Sequence, residues 1–149
     1  MYKRILVPVD GSSTSSKALT AALQLALERG GRVRVLHAVD ELAYVSGFEY
    51  TGEMILIARE AAEKLLDEAL ATAKAAGVQA DKLLIDEAGQ RLGQSVCDAA
   101  RGWEADLIVV GTHGRRGLGR VFLGSGAEQV IRMAPVPVLV IRSNEAVPA

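Results

Sequence analysis

Four consecutive apolar residues, Leu107-Ile108-Val109-Val110, follow Asp106 and stop at Gly111. A strand with one wet face alternates apolar and polar residues. An unbroken apolar run suits a strand covered on both faces, the situation inside a parallel sheet. Parallel neighbours must be joined by crossovers, usually helices, and the rest of the chain alternates strand and helix patterns accordingly. Arg4 to Val9 reads as a first strand, with Pro8 tolerable only near its end. Lys17 to Arg29 reads as a helix with Leu19, Ala22, Leu23 and Ala26 on one face, stopped by Gly30-Gly31. A strand over Val33 to Val39 follows, then a long helix over Glu53 to Ala76 with Ala58, Ala62, Leu65, Leu66, Ala69 and Ala73 as its stripe. Ala80 to Ile85 is a more polar strand, as an edge would be. Arg91 to Trp103 reads as a helix slightly weakened by Gly93, and Ser125 to Met133 as a helix closed by Pro135. Val138 to Ile141 makes the last strand.

This β-α-β-α-β-α-β-α-β order, with right-handed crossovers, specifies an α/β fold: a doubly wound, five-stranded parallel sheet of order 3-2-1-4-5 with helices on both faces. The first and fourth strands then lie side by side, and the topological switch falls between Asp10 and Gly111, where open α/β sheets place their ligands.

Composition narrows the function. The chain has 149 residues, enough for one α/β domain, and a formal net charge of −1, which argues against general binding to nucleic acid or an acidic membrane. Residues 1–143 are expected to form that domain and 144–149 a flexible tail. One cysteine, Cys97, precludes an internal disulfide and fits a reducing compartment. No apolar run approaches the roughly 20 residues of a membrane span, and the N-terminus lacks a signal-peptide pattern. A cytoplasmic protein is the expectation. His37 and His113 are the two histidines and lack metal-site spacing; His37 is expected to be a hydrogen-bonded strand-end residue. Residues 40–52 show no firm period, and their aromatics Tyr44, Phe48 and Tyr50 suit either a lid or a packed loop.

The glycine stretch after Val110 carries the chemistry. Gly111-x-x-Gly114, nine residues, then Gly124-Ser125 lets the backbone approach a phosphate closely, and Ser125 opens a helix whose free N–H groups, from Gly126 and Ala127 onward, favour an anion. Two other accounts stay open. Ser125 and Glu128 make an S-x-x-E capping box, and glycines also end strands without any ligand. The P-loop and the usual dinucleotide fingerprint are both absent.

Pro8-Val9-Asp10-Gly11-Ser12, Leu36-His37-Ala38-Val39-Asp40, Asp106 to Gly114, Gly124-Ser125 and Pro137 to Arg142 together resemble the universal stress protein family over essentially the whole chain. The glycine spacing resembles its ATP-binding branch. The resemblance implies a Rossmann-like, adenine-nucleotide alpha hydrolase-like fold and a homodimer in which the fifth strands pair antiparallel. It implies ATP as ligand and leaves room for magnesium or manganese on the phosphates. By position, Asp10 would accept from the ribose hydroxyls. Ala38 would meet the adenine edge through its backbone, with Val110 beside the base. Gly111 and Gly114 would flank ribose and phosphates; Gly124, Ser125, Gly126 and Ala127 would hold the phosphates; and Ser12 would approach the terminal one. Arg115 and Arg116 lie where the family varies and suit either phosphate neutralisation or a solvated face.

The leading functional expectation is a stress-response module that senses or holds ATP. The alternatives are a slow ATPase, a nucleotide-free structural or interaction protein of the same fold, and a redox or adenylyl-transfer domain. No lysine occurs in the loop, and ribose binding would occupy Asp10, so turnover ranks below holding.

Overall fold

In a computed structural model of the chain, the described residues are 1–39, 52–86, 90–112 and 125–142. They form β1 (Arg4–Pro8), α1 (Ser13–Arg29), β2 (Arg32–Ala38), α2 (Gly52–Ala75), β3 (Ala80–Ile85), α3 (Leu92–Trp103), β4 (Leu107–Gly111), α4 (Ser125–Met133) and β5 (Val138–Ile141). All pairings are parallel, and the sheet order is β3-β2-β1-β4-β5. The expected Rossmann-like order is therefore observed, with β1 and β4 in register at Ile5↔Leu107 and Leu6↔Ile108.

Alternation along the strands divides the interior into two cores. Ile5, Val7, Val33, Val35, Leu107 and Val109 pack against α1 and α2 through Leu19, Leu23, Leu66 and Ala73. Leu6, Leu36, Ile108 and Val110 pack on the other face against Val96, Ala100 and Trp103 of α3 and Val130 of α4. This explains the unbroken apolar run of β4: alternate residues feed different cores, and polar residues would be buried on either side. Each such side chain removed from water contributes roughly 1.5–3 kcal/mol before the entropy of ordering is counted.

Local chemistry sets the boundaries. β1 ends at Pro8, one residue short of the expected Val9, which still pairs through its N–H to Leu36 O at 2.8 Å. α1 begins at Ser13, earlier than periodicity suggested, because the Ser12 side chain caps it by accepting from Ser15 N–H. Gly30, with φ of 66°, ends α1 in the left-handed conformation and donates to Ala26 O. Gly93 is a point of close approach: a Cβ there would lie 2.2 Å from Gln129 Cβ, so glycine is what allows α3 and α4 to touch.

The two sheet edges differ. β3 carries Asp81 and Lys82, which pair with Arg34 and with Glu63 and Asp67. The Asp81 carboxylate raises the Arg34 guanidinium further above its ordinary value, first through their hydrogen bond. β5, Val138–Ile141, has no charged residue, and Leu139 is exposed. At the amino end of the sheet, the Asp106 carboxylate accepts from the N–H groups of Lys3 and Arg4 at 2.8 and 3.0 Å. There Trp103 receives the Arg4 and Arg34 guanidinium groups at 4.6 and 4.8 Å from its ring centroid.

Candidate functional site

A cavity of about 180 Å³ opens at the carboxyl end of the sheet, over the β1/β4 switch. Seven of the residues singled out from the sequence line it: Asp10, Ser12, Ala38, Val110, Gly111, Gly126 and Ala127. Ser125 opens α4 immediately before Gly126. Gly114 and Gly124 lie outside the described residues, as do His113, Arg115, Arg116, Gly117, Gly119, Arg120 and most of the aromatic segment 40–52. Leu92 and Val96, which helical periodicity places inward, also line the cavity, as do Thr14, Ser15, Leu36, Thr112 and Val130, which the pattern does not single out. For Val130 the signal was present in the helical stripe. For Thr112 it was the period of two along β4, which places a polar residue on the same face as Val110.

The rim on the α1 side is a closed hydrogen-bond circuit. Asp10 Oδ1 accepts from Ser12 N–H at 2.8 Å, and Ser12 Oγ accepts from Ser15 N–H at 3.2 Å. Ser15 Oγ donates to Ser12 O at 3.1 Å and accepts from Asp10 N–H at 3.3 Å. Gly11, between them, has φ of +82°, a conformation that side chains resist. The circuit locks the turn that carries Asp10. His37 reinforces it from β2. Its Nδ1 lies 2.7 Å from Val9 O, and since a carbonyl only accepts, this nitrogen carries the proton. His37 is thus the hydrogen-bonded strand-end residue expected.

Gly111 has a packing reason to be glycine. A Cβ there would lie 2.9 Å from the Thr14 carbonyl carbon and oxygen, so any side chain would displace the start of α1. Gly126 faces Leu92, whose Cδ2 would be 2.7 Å from an added Cβ. The floor between these contacts is apolar, formed by Leu36, Ala38, Val96, Val110 and Val130. The volume is below the 300–1,000 Å³ usual for a whole drug-sized ligand.

Three helices point their N-terminal turns at this cavity: α1 through Ser12 and Thr14, α3 through Leu92, and α4 through Gly126 and Ala127. The first turns of α1 and α3 contain no acidic residue. In α4 the first-turn Glu128 is paired with Arg132 at 3.1 Å. Converging positive helix ends favour an anion at the mouth. α3 has no side-chain cap of its own; instead Gln129 Oε1 of α4 accepts from Gly93 N–H at 3.2 Å, tying the two helix starts together.

No group of His, Cys, Asp and Glu suited to a metal ion occurs among the described residues. Cys97 is buried, and burial, the leading cause, pushes its thiol above the ordinary value, which disfavours the nucleophilic thiolate. Among the described residues no helix is long and apolar enough to cross a membrane.

A doubly wound sheet with an apolar slot and three helix N-termini at its switch point defines a crevice-binding α/β protein. The family model of the universal stress proteins matches residues 1–142, and the chain belongs to that family. A Thermus aquaticus universal stress protein is 36% identical over 142 residues, covering 95% of this chain and all of its own. Among solved structures, a universal stress protein from Burkholderia pseudomallei matches with a TM-score of 0.75 and 32% identity, covering 95% of this chain and 97% of its own. One from Archaeoglobus fulgidus in complex with dAMP matches with a TM-score of 0.70 and 27% identity, covering 94% of this chain and 98% of its own.

Proposed function

We propose that this protein binds ATP in the switch-point cavity and acts as a nucleotide-sensing or nucleotide-holding module, a cytoplasmic homodimer in stress response. The observation that carries the reading is the convergence of an apolar slot, a locked carboxylate and three helix N-termini on one cavity. The dAMP complex of the Archaeoglobus relative supports an adenine nucleotide as the ligand class. In this reading the base sits over Val110 with its edge on the Ala38 backbone, and the ribose hydroxyls donate to Asp10. Ser12, Ser125, Gly126 and Ala127 meet the phosphates, with Gly111, Gly114 and Gly124 leaving room for them. A magnesium or manganese ion is accommodated by the phosphates themselves, since Asp10 is the only carboxylate among the described lining residues.

That same scarcity favours holding over hydrolysis. A hydrolase must position a water, supply a base and compensate charge at the γ-phosphate, and Asp10 is already committed to the turn and, here, to ribose. The uncharged edge of β5 supports pairing with a second copy, because an unpaired edge without charges is a ready template for another strand.

The test is titration calorimetry with ATP, together with mass spectrometry of nucleotide released on denaturing freshly purified protein. One adenine nucleotide bound per chain, with ATP unconsumed over hours, is expected. An empty site at millimolar ATP would overturn the reading.

A further inference from the structure

The sheet has a second edge, β3, with β2 between it and the switch strand β1. The ladder to β2 shows which backbone groups this edge leaves over. Val33 N–H donates to Gln79 O at 3.0 Å, and Val39 N–H donates to Ile85 O at 2.9 Å. Backbone groups alternate sides along a strand. Gln79, Asp81, Leu83 and Ile85 therefore turn theirs to β2, and Lys82 and Leu84 turn theirs outward. Among the described residues no further strand meets them. Asp81 and Lys82 guard the first half of this edge with charge. The second half, Leu83-Leu84-Ile85, is apolar and only half-buried.

A groove of about 780 Å³ lies along that second half. Its floor is the strand edge from Leu83 to Asp86. One wall is α2, through Arg59 and Glu63, and the other is α3, through Asp98 and Ala99. Leu84 packs on the α2 side of the sheet, Leu83 and Ile85 on the α3 side. The groove thus straddles the edge, which is the shape an added strand fills.

Its charge says what kind of strand. Glu63, Asp86 and Asp98 line it against one guanidinium, that of Arg59. Two cations reach these carboxylates from outside: Lys82 is shared between Glu63 and Asp67 at 2.6 and 2.7 Å, and Arg101 meets Asp98 at 3.3 Å. Four carboxylates then face three cations, an excess of negative charge. Asp86 is the least satisfied, since its buried Oδ2 meets Arg59 but accepts no hydrogen bond among the described residues. A second copy of this chain would bring the same carboxylates and its own helix walls, and like charges oppose that pairing. A bare strand that carries cations meets neither obstacle.

We propose that the carboxyl half of the β3 edge is a docking surface for an extended, basic segment of a partner protein. The segment adds to the sheet as a further strand, bonding the outward N–H and C=O groups of Lys82 and Leu84. Its side chains alternate: cationic ones meet Glu63 and Asp86 on the α2 side, and apolar ones pack over Leu83, Ile85 and Ala99 on the α3 side. The surface shares no lining residue with the switch-point cavity and lies on the opposite edge from β5.

The probe is a synthetic hexapeptide of alternating valine and arginine, acetylated and amidated at its ends. It is titrated into the full chain and followed by amide chemical shifts. Saturating shifts at Lys82, Leu84, Asp98 and Ala99 are expected, with Ala127 and Leu139 unmoved. Glu63→Lys, confirmed as folded by thermal unfolding, should weaken the peptide about fivefold or more. N-methylation separates strand addition from charge attraction, because methylating either the valines or the arginines removes alternate N–H donors. One methylated set should abolish binding and the other change it by less than about threefold, as pairing along one edge requires. Equal effects of the two sets would overturn the proposal, as would unweakened binding to Glu63→Lys. No binding at millimolar peptide, or equal binding of a valine–glutamate hexapeptide, would overturn it too. So would β3 amide shifts that follow protein concentration without peptide, which would assign the edge to a second copy.

Discussion

The two ends of the sheet are built on opposite plans. At the amino end polar groups are closed off by partners from the chain: Asp106 holds two backbone N–H groups, and Trp103 is flanked by two arginines, one of which also donates to its carbonyl. At the carboxyl end the chain stops short. A cavity remains, and three helix starts face it. Parallel strands with helical crossovers always put helix N-termini at the carboxyl ends of the strands, so the fold supplies positive potential there without any charged side chain. One end closes the structure; the other is where the proposed nucleotide binds.

Substitutions should therefore separate stability from binding, according to the end at which they fall. The largest stability effect belongs to Trp103→Ala, which empties a buried site and removes both arginine contacts; a loss of about 3–5 kcal/mol is expected. Denaturant unfolding checks it, and folded variant should bind nucleotide with unchanged affinity. A weakened affinity would break the division between the two ends. Next comes Gly111→Ala. Its Cβ would press on the Thr14 backbone, so about 1–3 kcal/mol of destabilisation is expected together with weaker binding, because the rim and the floor meet at this residue. Ser12→Ala removes the α1 cap and should lower stability by about 1 kcal/mol, read as a thermal midpoint lowered by roughly 2–4 °C. Smallest in stability is Leu139→Lys on the open β5 edge, expected within about 0.5 kcal/mol per chain by denaturant unfolding under monomeric conditions. On the proposed β5-paired homodimer, sedimentation should show the variant monomeric where the wild type is dimeric, and a variant dimer that persisted would remove β5 from the interface.

The sheet was legible from the sequence because its signals are local and redundant. The run at Leu107 to Val110 demanded two covered faces, and the helical stripes between strands demanded crossovers. What escaped was set by approach between distant segments. Gly93 read as a weak point in a helix; it is glycine because Gln129, 36 residues later, comes against it. Gly111 read as a ligand-side glycine, and the start of α1 supplies a second and independent reason for it. Thr112 had a local signal, a polar residue in phase with the buried face of β4.

Amide chemical-shift mapping of the wild-type protein, titrated with ATP, tests most directly that the carboxyl end is the ligand end. Saturating shifts at Ala38, Gly111, Thr112, Gly126 and Ala127, with Arg4, Asp81 and Trp103 unmoved, are the predicted result. Shifts confined to the amino end, or no shifts at millimolar ATP, would contradict it.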